Sequence, residues 1–217
     1  MIIKVCGMRE PDNIRAVEQR VRPSMMGFIC YDRSPRYVGP VLPAYMPAPP
    51  VKRVGVFVNP TADYVVHQVQ MLGLHAVQLH GHESPAFCSR LRQMLRADTM
   101  LIKAFGIASA SDFDATNDYE ADMLVFDTRC SEHGGSGRQF DWQVLDAYTG
   151  STPFLLSGGI GPADAKTICH LHHPQLAGVD LNSRFELTPG MKDIDLLSDF
   201  ASKLAPWCNS SSTVLQR

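Results

Sequence analysis

The chain has 217 residues, 45% hydrophobic, 8% aromatic and 19% charged, the profile of an ordinary globular protein of one domain or at most two small ones. Lys and Arg number 20 against 22 Asp and Glu, a net charge of -2, so no long-range field exists to hold a polyanion by counterion release. That argues against nucleic acid and anionic membrane surfaces as partners, and no stretch approaches the roughly 20 apolar residues of a bilayer span. Residues 1–6 do not read as an export signal, and Cys6, Cys30, Cys88, Cys130, Cys169 and Cys208 form no Cys-x-x-Cys pair, so a reduced, cytoplasmic chain is expected.

Apolar runs at 2–6, 25–30, 51–58, 75–79, 100–105, 123–127, 153–157 and 176–181 predict eight strands. They are continuous rather than alternating, as strands covered on both faces of a parallel sheet are. Segments 12–20, 62–72, 84–95, 111–117, 142–148, 163–171 and 192–204 repeat apolar residues three and four apart and predict helices, with Thr61, Ser84, Ser111 and Asp141 as caps and Pro11 and Pro162 in first turns. The connection after the second strand carries Pro40, Pro43, Pro47, Pro49 and Pro50 and predicts only a short, broken helix. Eight strand–helix units of this size predict a single (β/α)8 TIM barrel over residues 1–205, with 206–217 a flexible tail. A doubly wound sheet is the alternative, but Gly7 stands alone with no G-x-G-x-x-G after the first strand.

In such a barrel the active site lies at the C-terminal ends of the strands. Those ends carry Cys6, the loop leading to Arg36, His80, Asp127, Ser157-Gly158-Gly159, and Asp180 with Asn182 and Ser183. Ser157-Gly158-Gly159-Ile160-Gly161-Pro162 is a glycine turn entering a helix, which aims backbone N–H groups at an anion. Together with Asn182-Ser183 it predicts a phosphate cradle. Gly134-Gly135-Ser136-Gly137, following Asp127, reads as a flexible linker or as a loop folding over bound substrate. His170, His172 and His173 lie at the end of a predicted outer helix without ligand spacing and predict solvated surface rather than a metal site.

Lys4-Val5-Cys6-Gly7-Met8, Gly27-Phe28-Ile29, Ser34-Pro35-Arg36-Tyr37-Val38, Val54 to Asn59, Val77-Gln78-Leu79-His80-Gly81, Phe126-Asp127-Thr128, Gly134 to Gly137, Leu156-Ser157-Gly158-Gly159-Ile160 and Gly178-Val179-Asp180 together resemble phosphoribosylanthranilate isomerase. The match runs from about residue 2 to residue 204. One departure is the turn Asn182-Ser183-Arg184, where the family commonly carries a Ser-Ser-Gly-type turn. The resemblance implies an Amadori rearrangement in tryptophan biosynthesis, converting N-(5-phosphoribosyl)anthranilate to 1-(2-carboxyphenylamino)-1-deoxyribulose 5-phosphate without cofactor or metal. It implies Cys6 as base and Asp127 as acid, with Arg36 taking the anthranilate carboxylate. Gly158, Gly159, Asp180, Asn182, Ser183 and His80 are then expected to line the substrate site. A thiol serving as base must be brought toward neutrality by a cation or helix terminus. The expected partner is a phosphorylated small molecule, and the chain is expected to be a monomer or homodimer. The related aminoaldose isomerase of histidine biosynthesis is a rival reading that Cys6 argues against, and an idle phosphate-binding barrel is a rival that Cys6 and Asp127 together argue against.

Overall fold

The computed structural model describes residues 1–39, 44–128 and 141–210. Strands β1 (Ile2–Val5), β2 (Met25–Ile29), β3 (Lys52–Phe57), β4 (Ala76–Leu79), β5 (Met100–Ile107), β6 (Met123–Thr128), β7 (Phe154–Leu156) and β8 (Leu176–Leu181) close into a parallel barrel. The closing pair sets Lys4 opposite Asp180 and Val5 opposite Leu181. Helices α1 (Pro11–Arg20), α2 (Ala62–Leu72), α3 (Pro85–Met94), α4 (Ala165–Cys169) and α5 (Ile194–Ser210) pack outside, and a hairpin of β9 (Glu186–Thr188) and β10 (Met191–Lys192) lies between β8 and α5.

Local sequence explains the helix ends. The Thr61 side chain accepts from the backbone N–H of Tyr64, and Ser84 accepts from that of Phe87, which satisfies donors the first turn leaves unpaired. Gly73 closes α2 in the left-handed conformation that a side chain resists. Several expectations need correction. Among the described residues, the connection from β2 to β3 contains no helix, because its prolines remove donors and the turn at Tyr31–Tyr37 is held by local bonds instead. Residues 110–118 and 142–147 wind as 3₁₀ rather than α helix, and the first is capped by Ser109, not Ser111. Lys192 belongs to β10, so the last helix starts at Ile194 and continues past Pro206 to Ser210, into the segment expected to be a tail.

The strands read as uninterrupted apolar runs because both faces are buried. Inside the barrel, Met25, Val54, Ala76, Ile102, Met123, Val125 and Leu155 fill the lower layers. Outside, the two 3₁₀ segments cover β6 and β7 with little length, and aromatic bulk makes up the difference: Phe113, Phe126, Tyr148 and Phe154 stack with centroids 4.6–5.6 Å apart. Above these layers, at the C-terminal ends of the strands, lie buried Gln78, Ser157 and Asp180, and the site forms there.

Candidate active site

Cys6 follows β1 and stays on its ladder, its N–H donating to the Leu181 carbonyl at 2.8 Å. A side chain at Gly27 on β2 would meet the Cys6 Sγ at 2.8 Å, so glycine there makes room for the thiol. Two residues earlier, on the same face of the strand, buried Lys4 donates to Asp180 Oδ2 at 2.6 Å. Buried Lys192 reaches in from the hairpin and donates at 2.7 Å to both Asn182 Oδ1 and Glu186 Oε1. Burial pushes the Cys6 thiol above its ordinary range; Lys4 and Lys192 pull it back in part, while the Asp180 carboxylate works against them. This corrects the expectation of a thiol drawn toward neutrality. Burial also works to lower Lys4, but Asp180 and Cys6 outweigh it and hold the ammonium above its usual range. For Lys192 burial wins, and its value falls despite Glu186.

Asp127 lies near the end of β6 with the Thr128 N–H donating to Oδ1 at 2.8 Å. His80 Nε2 approaches Asp127 Oδ2 at 3.2 Å, and His80 Nδ1 sits 2.9 Å from Gln78 Nε2. The strand between them carries Gly106 opposite Asp127. The Gly81 turn behind His80 is fastened by a buried pair, Lys103 to Glu83 at 3.1 Å, with Glu83 also accepting from the N–H groups of Gly81 and Asn59.

Gly158 and Gly159 have φ of 86° and 67°. A side chain at Gly158 would come within 2.3 Å of Thr128 Oγ1 and 2.8 Å of Asp127 Oδ1, so this glycine is required by the close approach of β6 as well as by its backbone. The helix after the turn is shorter than expected: one 3₁₀ turn, Pro162–Asp164, precedes five-residue α4, and the Gly161 N–H is taken by Asp164 at 2.6 Å. Little macrodipole is left to attract an anion. On the neighbouring strand Asn182 spends its side-chain oxygen on Lys192, Ser183 opens a 3₁₀ turn, and the stem of Arg184 lies 3.8–3.9 Å from where a Gly161 side chain would be.

Arg36 is held where sequence reading did not foresee. Its Nε and Nη2 donate to both oxygens of Glu186 at 2.6–3.0 Å, with the two side chains only 11% and 4% exposed. Glu186 further accepts from Lys192 and from the Gly190 N–H at 3.0 Å. Burial works to raise Glu186, but these donors outweigh it and hold the carboxyl below its usual range. The remaining edge of the guanidinium, Nη1 and the second hydrogen of Nη2, forms no hydrogen bond among the described residues. Lys4, Glu186 and Lys192 were missed because ion pairs across 6 to 176 residues leave no spacing signal; only their buried position marks them. The glycine run at 134–137 lies outside the described residues. His170 and His173 bond to the Lys166 and Tyr148 carbonyls, and no cluster of metal-ligating side chains occurs among the described residues.

A closed parallel barrel whose polar side chains gather at one mouth defines a (β/α)8-barrel enzyme. Residues 3–203 match the family model described as N-(5'phosphoribosyl)anthranilate (PRA) isomerase, and the chain belongs to that family. It is 48% identical over 211 residues to the N-(5'-phosphoribosyl)anthranilate isomerase of Parabacteroides distasonis, covering 94% of this chain and 93% of the relative. The fold superposes on the Thermus thermophilus phosphoribosyl anthranilate isomerase with TM-score 0.81, at 25% identity, covering 95% of this chain and 100% of the other. A further structure, at TM-score 0.75 and 26% identity over 95% of this chain and 100% of that one, is a phosphoribosyl anthranilate isomerase in complex with reduced 1-(o-carboxyphenylamino)-1-deoxyribulose 5-phosphate. The enzyme isomerises N-(5'-phosphoribosyl)anthranilate in tryptophan biosynthesis.

Proposed function

We propose that Asp127 is the general acid and Cys6 the general base of this rearrangement. Asp127 gives its proton to the ribose ring oxygen as the C1–O bond breaks, and the nitrogen lone pair forms an iminium. The Cys6 thiolate then removes the C2 proton that the iminium has acidified, and the resulting enaminol tautomerises to the aminoketose. One observation carries the reading: Cys6 follows β1 and Asp127 lies on β6, so the turns after β7 and β8 fall between them around the mouth. A phosphate on Gly158, Gly159 and the backbone of Asn182 and Ser183, bordered by Arg184, lets the sugar extend between acid and base, past Asp180. The free edge of Arg36 fits the anthranilate carboxylate, with its other edge fixed on Glu186. A buried thiol holds its proton, so the base acts through the ionised fraction that Lys4 and Lys192 sustain. Four free thiols among the described residues support the cytoplasm as the compartment. The test is turnover of the fluorescent substrate by Cys6→Ala and Asp127→Asn: each is expected to lose nearly all kcat, and substantial turnover in either removes that residue from its role.

A further inference from the structure

We infer that Gln78 is a positioning residue for the reaction, choosing through its carboxamide which ring nitrogen of His80 carries the proton, and so the direction of the hydrogen bond between His80 and Asp127. The inference rests on the reading of Asp127 as the acid. Gln78 stands two residues before His80 on β4, so both side chains leave the same face, and it is completely buried. Its Nε2 lies 2.9 Å from His80 Nδ1, while its Oε1 has no hydrogen-bond partner among the described residues. The other ring nitrogen meets Asp127 Oδ2 at 3.2 Å.

A carboxamide presents either a donor or an acceptor to the same point, and a neutral imidazole must then follow it. As the structure stands, the Gln78 NH2 donates to Nδ1, which puts the ring proton on Nε2, where it is donated to the Asp127 carboxylate. Turning the amide over brings the orphaned Oε1 to Nδ1. The ring proton then resides on Nδ1, and Nε2 becomes an acceptor for the O–H of a protonated Asp127. Each arrangement leaves one amide group unpaired, so burial does not bias the choice strongly. They differ by one proton, the one Asp127 delivers. Once it is delivered, an Nε2 lone pair faces a carboxylate. Loss of the Nδ1 proton to water, capture of another at Nε2 and rotation of the amide relieve that repulsion and restore the first arrangement. Reprotonation of Asp127 by solvent reverses the sequence. Among the described residues, the charged groups facing these side chains include Asp127 on β6 and, behind the Gly81 turn, the mutually paired Lys103 of β5 and Glu83.

The test is a long-range ¹H–¹⁵N correlation of the His80 ring in the whole unliganded enzyme, above the pH at which the ring loses its extra proton. The expected result is a proton on Nε2; a proton on Nδ1 overturns the inference. Gln78→Met keeps side-chain length and removes both amide groups, and is expected to give a mixture of the two tautomers. Its kcat should fall about tenfold to a hundredfold with KM within about threefold, because the substrate's binding groups lie elsewhere. A changed tautomer with wild-type kcat, or an unchanged tautomer in Gln78→Met, overturns the inference. Should Gln78→Met fail to fold, the wild-type spectrum alone decides. Should Asp127→Asn stay active, the acid is misassigned while the tautomer result stands by itself, so the two failures are distinguishable.

Discussion

Arg36→Met separates substrate recognition from loop support. The anthranilate carboxylate keeps its charge throughout the rearrangement, so a bidentate contact to the free edge of Arg36 is made about equally in ground and transition states. A charge-assisted contact of about 1.5–3 kcal/mol corresponds to a rise in KM of about tenfold to a hundredfold, with a smaller effect on kcat. The structure adds a second effect, because the same guanidinium is bidentate on Glu186. Its removal does not strand that carboxylate, which keeps Lys192 at 2.7 Å and Gly190 at 3.0 Å. The stability loss is therefore expected at about 1–3 kcal/mol, below the 3–5 kcal/mol of a buried ion left alone. At about 2–4 °C per kcal/mol for a chain of this size, the melting temperature should fall by roughly 2–12 °C. The assay compares the natural substrate with one made from aniline, which lacks the carboxylate, at a temperature where both proteins are folded. Wild type and variant should turn over the aniline compound nearly equally. Equal impairment on both compounds would refute the carboxylate contact and leave Arg36 as a prop for its loop.

Cys6→Ala should lose nearly all turnover while a product analogue binds within a few-fold, since the thiolate acts on the C2 proton and adds little ground-state affinity; calorimetric titration checks it, and near-normal kcat would sink the role. Alkylation of Cys6 by iodoacetamide, followed by peptide mass spectrometry, should rise with a midpoint above that of an ordinary thiol, because burial favours the neutral form; Lys192→Met removes a cation that favours the thiolate and should move the midpoint higher still. A midpoint that stays put in Lys192→Met would show that its charge does not reach Cys6. Gly158→Ala places a methyl 2.3 Å from Thr128 Oγ1 at a φ of 86°, so it should cost stability and lower kcat through a displaced Asp127. Wild-type kcat and melting temperature in that variant would refute the close-approach argument. In residual activity of Asp127→Asn, the high-pH limb of kcat/KM should vanish, and its persistence would move the acid elsewhere.

The barrel itself was legible in the sequence. Eight continuous apolar runs separated by capped helical segments leave few ways to bury both faces of every strand, and Thr61 and Ser84 cap the helices as read. Patterns held within a few residues were recoverable, since they depend on neighbours in the chain. The placement of Cys6, His80 and Asp127 at strand ends was legible as well, and strand ends in a barrel are where chemistry can sit. Where helical signals failed, the failure is physical. Residues 110–118 and 142–147 wind tighter because they only need to cap an aromatic cluster, and Lys192 is drawn from the last helix into a hairpin by Glu186 and Asn182.

Only the tertiary structure decided what surrounds the reacting groups. The Lys4–Asp180 pair joins the first strand to the last, and Arg36 meets Glu186 across 150 residues. No local pattern encodes such partners; they meet because the barrel closes. The same closure reversed the expected behaviour of Cys6, since burial is a property of the folded mouth and outweighs both Lys4, its neighbour on the strand, and Lys192, which only the fold brings near. Composition and periodicity determine that this chain makes a barrel. Long-range packing determines the dielectric, the ion pairs and the hydrogen-bond directions through which that barrel can do acid–base chemistry.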